Sequence, residues 1–403
     1  MDDSTTMDID RAAEEASRPG EVGGAASPPS ISPQQHHNQQ NLPPRPQQEP
    51  EQQAIINELE VDSNRSDNDS SLGSDISSIS STMRSEDFEF RFENGRRYQS
   101  KNAMYHLPND IQEMDRLELQ HLIWMQMLGG RHALAPLDQT QLTHVLDVGC
   151  GTGNWTIEFA NLHPDVQVLG TDLSPIQPEW VPSNCSFFID DATHDWSFHQ
   201  RFDYVHSRAL SMGIGDWDRF VEQAYDFLQP GGFIELQEFH LPLESPDGSL
   251  EGSALRTWGE KVRTICGRLG IDTMAALGHA DRLRRKGFRE VDEKHLLCPL
   301  GPWAKGQRQK RIGWMARKDL YEGIDAISKR LFLIMGDTEE EVDAFLEKCK
   351  EELLDPAVRT TRPPVSCLFF FFSPLEHNVE ETPAQIHPCM SLDITWGQRP
   401  LES

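Results

Sequence analysis

Long apolar runs are missing from this 403-residue chain. The longest, Cys367–Phe372, falls far short of the ~20 residues of a membrane-spanning helix. The opening residues are acidic and hold no apolar core of a signal peptide, so none is expected. Positive charge is scarce: 37 Lys and Arg face 65 Asp and Glu, a formal net charge of −28. That balance excludes the basic footprint of a protein that wraps nucleic acid. Paired cysteines are also absent. The seven are scattered and odd in number, and no two have the spacing of a metal knuckle. A disulfide framework is therefore excluded, and a soluble protein of a reducing, intracellular compartment is expected. Apolar content is 37%, below the ~45–50% usual for globular domains.

The deficit is concentrated at the front. Residues 1–90 contain eighteen Asp and Glu, five Arg and no Lys, with a Pro/Gln-rich stretch at 27–53 and a Ser/Asp/Asn-rich one at 63–82. Such a segment buries too little apolar surface to offset chain entropy, so a disordered acidic tail is expected. Ser70, Ser71, Ser74, Ser77 and Ser78 lie near acids and would suit an acid-directed kinase, although a merely solvating tail is the simpler reading. His36 and His37 stand in this tract without the spacing of a metal site, and no metal centre is expected.

Order is expected from the aromatics of residues 88–98 onward. Asn109 or Asp110 caps a helix over 111–128, with Met114, Leu117, Leu122, Met125 and Leu128 on its apolar face. From residue 143 strands and helices alternate. Strands are expected at 143–148, 167–171, 186–189, 204–206 and 233–237, with helices at 155–162 and 217–228 between them. This α/β pattern implies a doubly wound, mostly parallel sheet with helices on both faces. Helices at 253–269, 274–286, 305–335 and 338–353, with strands at 288–297 and 392–396, complete the chain.

The chemistry centres on Val145–Gly153, Val-Leu-Asp-Val-Gly-Cys-Gly-Thr-Gly. A buried strand ends in an acid and turns through alternate glycines into a helix, where the backbone can lie against a ligand. In an open parallel sheet, ligands bind at the carboxyl ends of the strands. Four such ends carry suitable groups: the turn with Asp147, Gly149, Cys150, Gly151 and Gly153; Asp172 followed by Leu173; Asp191 followed by Ala192; and the 204–208 strand end. Asp172, about twenty residues past the turn, suits ribose hydroxyls, and Asp191 suits an exocyclic amine of adenine. The dinucleotide spacing Gly-x-Gly-x-x-Gly and the Gly-Lys-Ser/Thr phosphate loop are both missing, and Asp147 would repel a diphosphate. A sulfonium bearing an amino group suits that acid, which points to S-adenosylmethionine (SAM) as cofactor.

These residues resemble the successive motifs of class I SAM-dependent methyltransferases, together with the 228–235 stretch Leu-Gln-Pro-Gly-Gly-Phe-Ile-Glu. The strings Leu-Pro-Asn-Asp at 107–110, Asp-Arg-Leu-Glu-Leu-Gln-His at 115–121, Gly-Thr-Asp-Leu-Ser-Pro at 170–175, Ile-Asp-Asp-Ala at 189–192 and Leu-Gln-Glu-Phe at 236–239 narrow the resemblance to fungal LaeA-like methyltransferases. The resemblance covers residues 96–354. It implies a Rossmann-like, seven-stranded sheet with its last strand antiparallel, and a helical lid over the pocket. It also implies a regulator of secondary metabolism, residence in the nucleus and velvet-type protein partners. The domain is placed at 96–400.

The chain departs from that family at 98–102, where an additional aromatic residue is usual, and at 365–391. The second stretch reads as an insertion ahead of the last strand, a translated intron or gene-model error.

Transfer of a methyl group to oxygen or nitrogen calls for an aligned nucleophile and, where the acceptor carries a proton, a base. His206 is the first candidate, followed by Glu238 and His240. Arg208 is expected to pair with a carboxylate near the pocket. Trp155 either lines the pocket or packs, and Cys150 is not expected to act as a nucleophile. The basic clusters at 282–289 and 305–311 read as solvated helix faces rather than an import signal or a patch for an acidic partner. The functional expectation is a regulatory methyltransferase of secondary metabolism. The alternatives are a small-molecule O- or N-methyltransferase of a biosynthetic pathway and a SAM-binding scaffold with little turnover.

Overall fold

The computed structural model describes residues 90–100, 102, 105–354 and 386–402. A two-stranded hairpin, β1 (Phe90–Glu93) and β2 (Arg96–Gln99), opens this part. It leads to helix α1 (Ile111–Met127), capped by Asp110, whose side chain accepts from Glu113 N and from Arg96 Nε at 2.6 Å. The expected cap at 109 or 110 thus resolves to Asp110. Asn109 instead donates to Ser174 Oγ at 3.0 Å and ties the front of the chain to the loop behind Asp172.

The alternation follows as expected. Strands β3 (His144–Val148), β4 (Gln167–Asp172), β5 (Cys185–Ile189), β6 (Phe202–Arg208) and β7 (Leu228–Glu244) pair in parallel, with α2 (Asn154–Leu162) and α3 (Trp217–Phe227) among the crossovers. Helices α4 (Ala254–Arg268) and α5 (His279–Lys286) precede β8 (Arg289–Pro299). Helices α6 (Gln307–Ile334) and α7 (Glu339–Leu353) precede β9 (Cys389–Gln398). The seven-stranded sheet runs β5-β4-β3-β6-β7-β9-β8, and β9 is antiparallel to both neighbours.

Three buried clusters cover the two faces. Helices α3 and α5 pack on Leu146, Val148, Ile234 and Leu236. On the opposite face, α2 packs on Val145, Val168 and Tyr204. The remaining helices of that face join Leu241, Leu392 and Ile394 in one core that includes Trp124 of α1 and Trp258 of α4. No described helix is long and apolar enough to cross a membrane.

Several expectations change. The buried side of α1 was read as Met114, Leu117, Leu122, Met125 and Leu128, but Leu122 is half exposed while Glu113, Arg116 and His121 are buried. The helix faces a polar site at its N-terminal half and the core only near Ile123 and Trp124. The basic side chains of α5 lie over acids of α3: Arg285 reaches Asp218 at 3.0 Å and Lys286 reaches Glu222 at 2.8 Å. Strand β9 begins at Cys389, inside the stretch read as an insertion, because Cys389 and Ser391 already pair with Glu244 and His240. The rest of that stretch to residue 385, and the tail of residues 1–89, lie outside the described residues.

Candidate active site

The glycine turn is set by backbone geometry. Gly149, Gly151 and Gly153 have φ of 70°, 57° and 79°, a region that side chains disfavour. A Cβ on Gly149 would stand 2.3 Å from Leu210 Cδ2, and one on Gly153 2.4 Å from Phe187 Cζ. The turn is therefore pressed between the β6 exit and β5, with its peptides facing a cleft at the carboxyl ends of β3, β4 and β6. That cleft is lined by Asp147, Gly149, Cys150, Gly151, Asp172 and His206, among others. Gly153 and Leu173 do not line it. Gly153 caps α2, and Ser174 and Ile176 take the wall beside Asp172.

Asp172 ends β4 with both oxygens held: Gly151 N donates at 2.8 Å and Ser174 N at 2.9 Å. Burial raises its carboxyl pKa to about 6, against the pull of these bonds. Burial, with Asp172 and Asp147 nearby, also holds the Cys150 thiol well above its usual range, which suits a wall residue and not a nucleophile.

Asp147 and His206 lie opposite each other on β3 and β6. His206 Nδ1 is 2.8 Å from Asp147 Oδ1, and Thr156 donates to Asp147 Oδ2 at 2.6 Å. The imidazole is stacked on Trp155 at 3.8 Å, and Trp155 Nε1 is fixed by the carbonyl of His132. Trp155 therefore both packs and lines the cleft. His206 Nε2 is buried with no hydrogen-bond partner. A neutral imidazole whose Nδ1–H is held by a carboxylate presents a lone pair at Nε2, the arrangement of a general base.

Arg208, expected to pair with a carboxylate, does not do so at ion-pair distance. Its Nε donates to Gln237 Oε1 at 2.8 Å, its Nη1 lies 3.3 Å from His121 Nδ1, and Nη2 has no partner. Gln237 in turn donates to Glu235, which accepts from Leu134 N and Ala135 N. The acid that would meet Arg208 is thus engaged by backbone. Burial lowers the guanidinium to about 10, so it keeps its charge. Glu238 is tied to the β6 exit by Leu210 N, Ser211 N and Ser211 Oγ, and burial raises it to about 7. It shapes that loop and offers no free oxygen comparable to His206 Nε2. His240 lies further along β7, against Asp393.

Asp191 and Ala192 line a neighbouring cavity instead of the main cleft. Asp191 Oδ2 accepts from Asn102 Nδ2 at 3.0 Å, and Oδ1 accepts from Thr193 Oγ1 at 2.7 Å. Asn102 belongs to the stretch that departs from the family pattern.

The sequence reading did not assign Glu113, Arg116 and Asp319. Arg116 is buried in the cleft wall, bonded to Glu113 at 2.7 Å and to Asp319 of α6 at 2.8 Å. Glu113, Arg116 and Gln120 recur at helical spacing, a polar stripe that could have been read beside the apolar one. The roof is apolar, with Phe239, Trp258, Leu320, Ile327 and Met390.

A β5-β4-β3-β6-β7-β9-β8 sheet with an acid-bearing glycine turn over its carboxyl end defines a class I SAM-dependent methyltransferase. The lining fits the cofactor: the Asp172 carboxylate, the half-buried turn at Gly149–Gly151, an unpartnered guanidinium nitrogen and an apolar roof. The methyltransferase domain family matches residues 121–289. Methyltransferase pytC of Aspergillus terreus is 34% identical over 301 residues, 74% of this chain and 90% of that protein. The secondary metabolism regulator laeA of Aspergillus fumigatus is 31% identical over 278 residues, 66% of this chain and 73% of that one. A solved phosphoethanolamine N-methyltransferase 2 of Haemonchus contortus, in complex with SAM, is 16% identical with a TM-score of 0.38, covering 70% of this chain and 52% of that one. The chain belongs to the LaeA-like methyltransferases.

Proposed function

We propose that the chain methylates an acceptor in fungal secondary metabolism, with His206 as general base, and acts as a LaeA-like regulator. The observation that carries the catalytic part is the unpartnered Nε2 of His206, aligned by Asp147 and Trp155 in the cleft wall. When bound, SAM supplies an electrophilic methyl group on a sulfonium. Asp172 would accept from the ribose hydroxyls, the Gly149–Gly151 peptides would lie along the methionine part, and Arg208 Nη2 would hold its carboxylate. Asp191 would take the adenine amine, with Asn102 giving up its bond to that oxygen. His206 Nε2 would remove the acceptor's proton, and Asp147 would stabilise the resulting imidazolium. This reading disfavours a scaffold without turnover, which has no need of an aligned base.

A second reading, a biosynthetic small-molecule methyltransferase, draws on the roof. Trp258 and Ile327 from the lid helices, with Phe239 and Met390, would close over an apolar acceptor. Nuclear residence and velvet-type partners belong to the regulator reading and would be seen with a fluorescent fusion and affinity capture. Labelled SAM incubated with host extract, split into protein and small-molecule fractions, separates the two readings. Label in protein supports the regulator, label in small molecules the biosynthetic enzyme, and label in neither removes both.

A further inference from the structure

On the face of the sheet opposite His206, three neighbouring strands bring together a second set of chemistry-bearing side chains. His240 stands on β7, Asp393 on β9 and His295 on β8. Asp393 lies directly opposite His295 in the β8–β9 ladder, and His240 lies opposite Ser391, one step along on the same face. One donor atom from each of the three falls within 4.8 Å of the other two. His295 Nδ1 is 2.9 Å from Asp393 Oδ1, and His240 Nε2 is 3.1 Å from Asp393 Oδ2.

The second contact is an ion-pair approach of two atoms that have no other partner. Both His240 Nε2 and Asp393 Oδ2 are buried without a hydrogen-bond partner, and His240 is only 4% exposed. A buried imidazole nitrogen and a carboxylate oxygen 3.1 Å apart, neither held by any other group, are atoms that a shared cation would join. We propose that His240, Asp393 and His295 bind one divalent cation of the zinc class.

The chemistry of the donors selects that class. Two imidazoles and a carboxylate suit zinc or a neighbouring transition metal, whereas magnesium and calcium take oxygen ligands. With zinc about 2.0–2.1 Å from nitrogen and 2.0–2.2 Å from oxygen, tetrahedral donors stand about 3.3–3.5 Å apart. The two imidazoles meet different oxygens of Asp393, at 2.9 and 3.1 Å, so the carboxylate would bind through both oxygens or turn to present one. The His240–His295 separation closes by rotation of His295, whose side chain is about half exposed. Water would take the fourth position on that open side. The ion would clamp β9 between β7 and β8, with all three ligands on sheet strands and none on a loop.

The test uses the full chain without an affinity tag, stripped with a chelator and titrated with Co²⁺ alone. The readouts are visible d–d absorption, displacement of that band by Zn²⁺, and the metal-to-protein ratio by mass spectrometry. The expected result is one ion per chain, with affinity at least tenfold weaker in His295→Ala and in Asp393→Asn and unchanged in the His36→Ala/His37→Ala double variant. His295 is exposed enough for its alanine variant to keep the fold, which unchanged SAM affinity verifies. Absence of stoichiometric uptake overturns the proposal. So does uptake that survives both site variants or disappears with His36 and His37.

Discussion

Asp172 carries opposed demands in one side chain. Its buried carboxyl titrates near pH 6, yet the ionised form is the stronger acceptor for the two ribose hydroxyls proposed to bind there. SAM affinity should therefore fall as pH drops from 7.5 through 6, which calorimetry across that range would follow. Stability of the free protein moves the other way. Asp172 and Asp319 near 6, and Glu238 near 7, all titrate above their ordinary carboxyl values. The folded state then holds more protons than the unfolded state between about pH 4 and 7, so these groups stabilise the fold more as pH falls through that window. Denaturant titration without cofactor at pH 7.5 and 5.5 would read their contribution as a smaller loss on acidification than exposed carboxylates alone predict. At His206, replacement by Gln removes the base and should lower the rate of methyl transfer about 10²–10⁴-fold, with SAM affinity nearly unchanged. An equal loss of both would make His206 a packing residue.

Among the elements, α1 and the glycine turn show what was legible and what was not. The backbone of the turn was legible, because alternate glycines answer a local need for positive φ. Its side-chain partners were not, since Asp147 is held by His206 and Thr156 and Gly153 caps α2. A methyl group added by Gly149→Ala meets Leu210 and a positive φ, and should cost about 1–3 kcal/mol of stability in urea unfolding. The polar side of α1 was not read as site. Periodicity marks which face is buried by its apolar residues, whereas Glu113 and Arg116 are buried because Asp319, some two hundred residues later, completes their pairing. Arg116→Met leaves two buried carboxylates without their cation and should cost about 3–5 kcal/mol, seen as a fall in Tm. A similar long-range partner decided Arg208. An unspecified carboxylate was expected beside it, and the nearby Glu235 is already held by the peptides of Leu134 and Ala135. The hairpin β1–β2 escaped because four-residue strands carry little pattern of their own.

For the whole molecule, the number of strands and the antiparallel last strand were implied by the family resemblance, while the parallel strands themselves followed from alternation and their order was not read. The antiparallel entry of β9 could not be read from its own residues, since Cys389–Gln398 looks the same in either direction. Every polar group proposed to hold the cofactor lies within residues 102–208. A chain starting at residue 90 should therefore bind SAM as tightly as the full chain, within about twofold by calorimetry. The most direct test of the account is titration calorimetry with SAM on the wild-type chain and on Asp172→Ala. The account predicts one site per chain and affinity at least tenfold weaker in the variant, whose unchanged far-ultraviolet circular dichroism shows that it is folded. A folded variant that binds SAM as tightly as the wild type would contradict it.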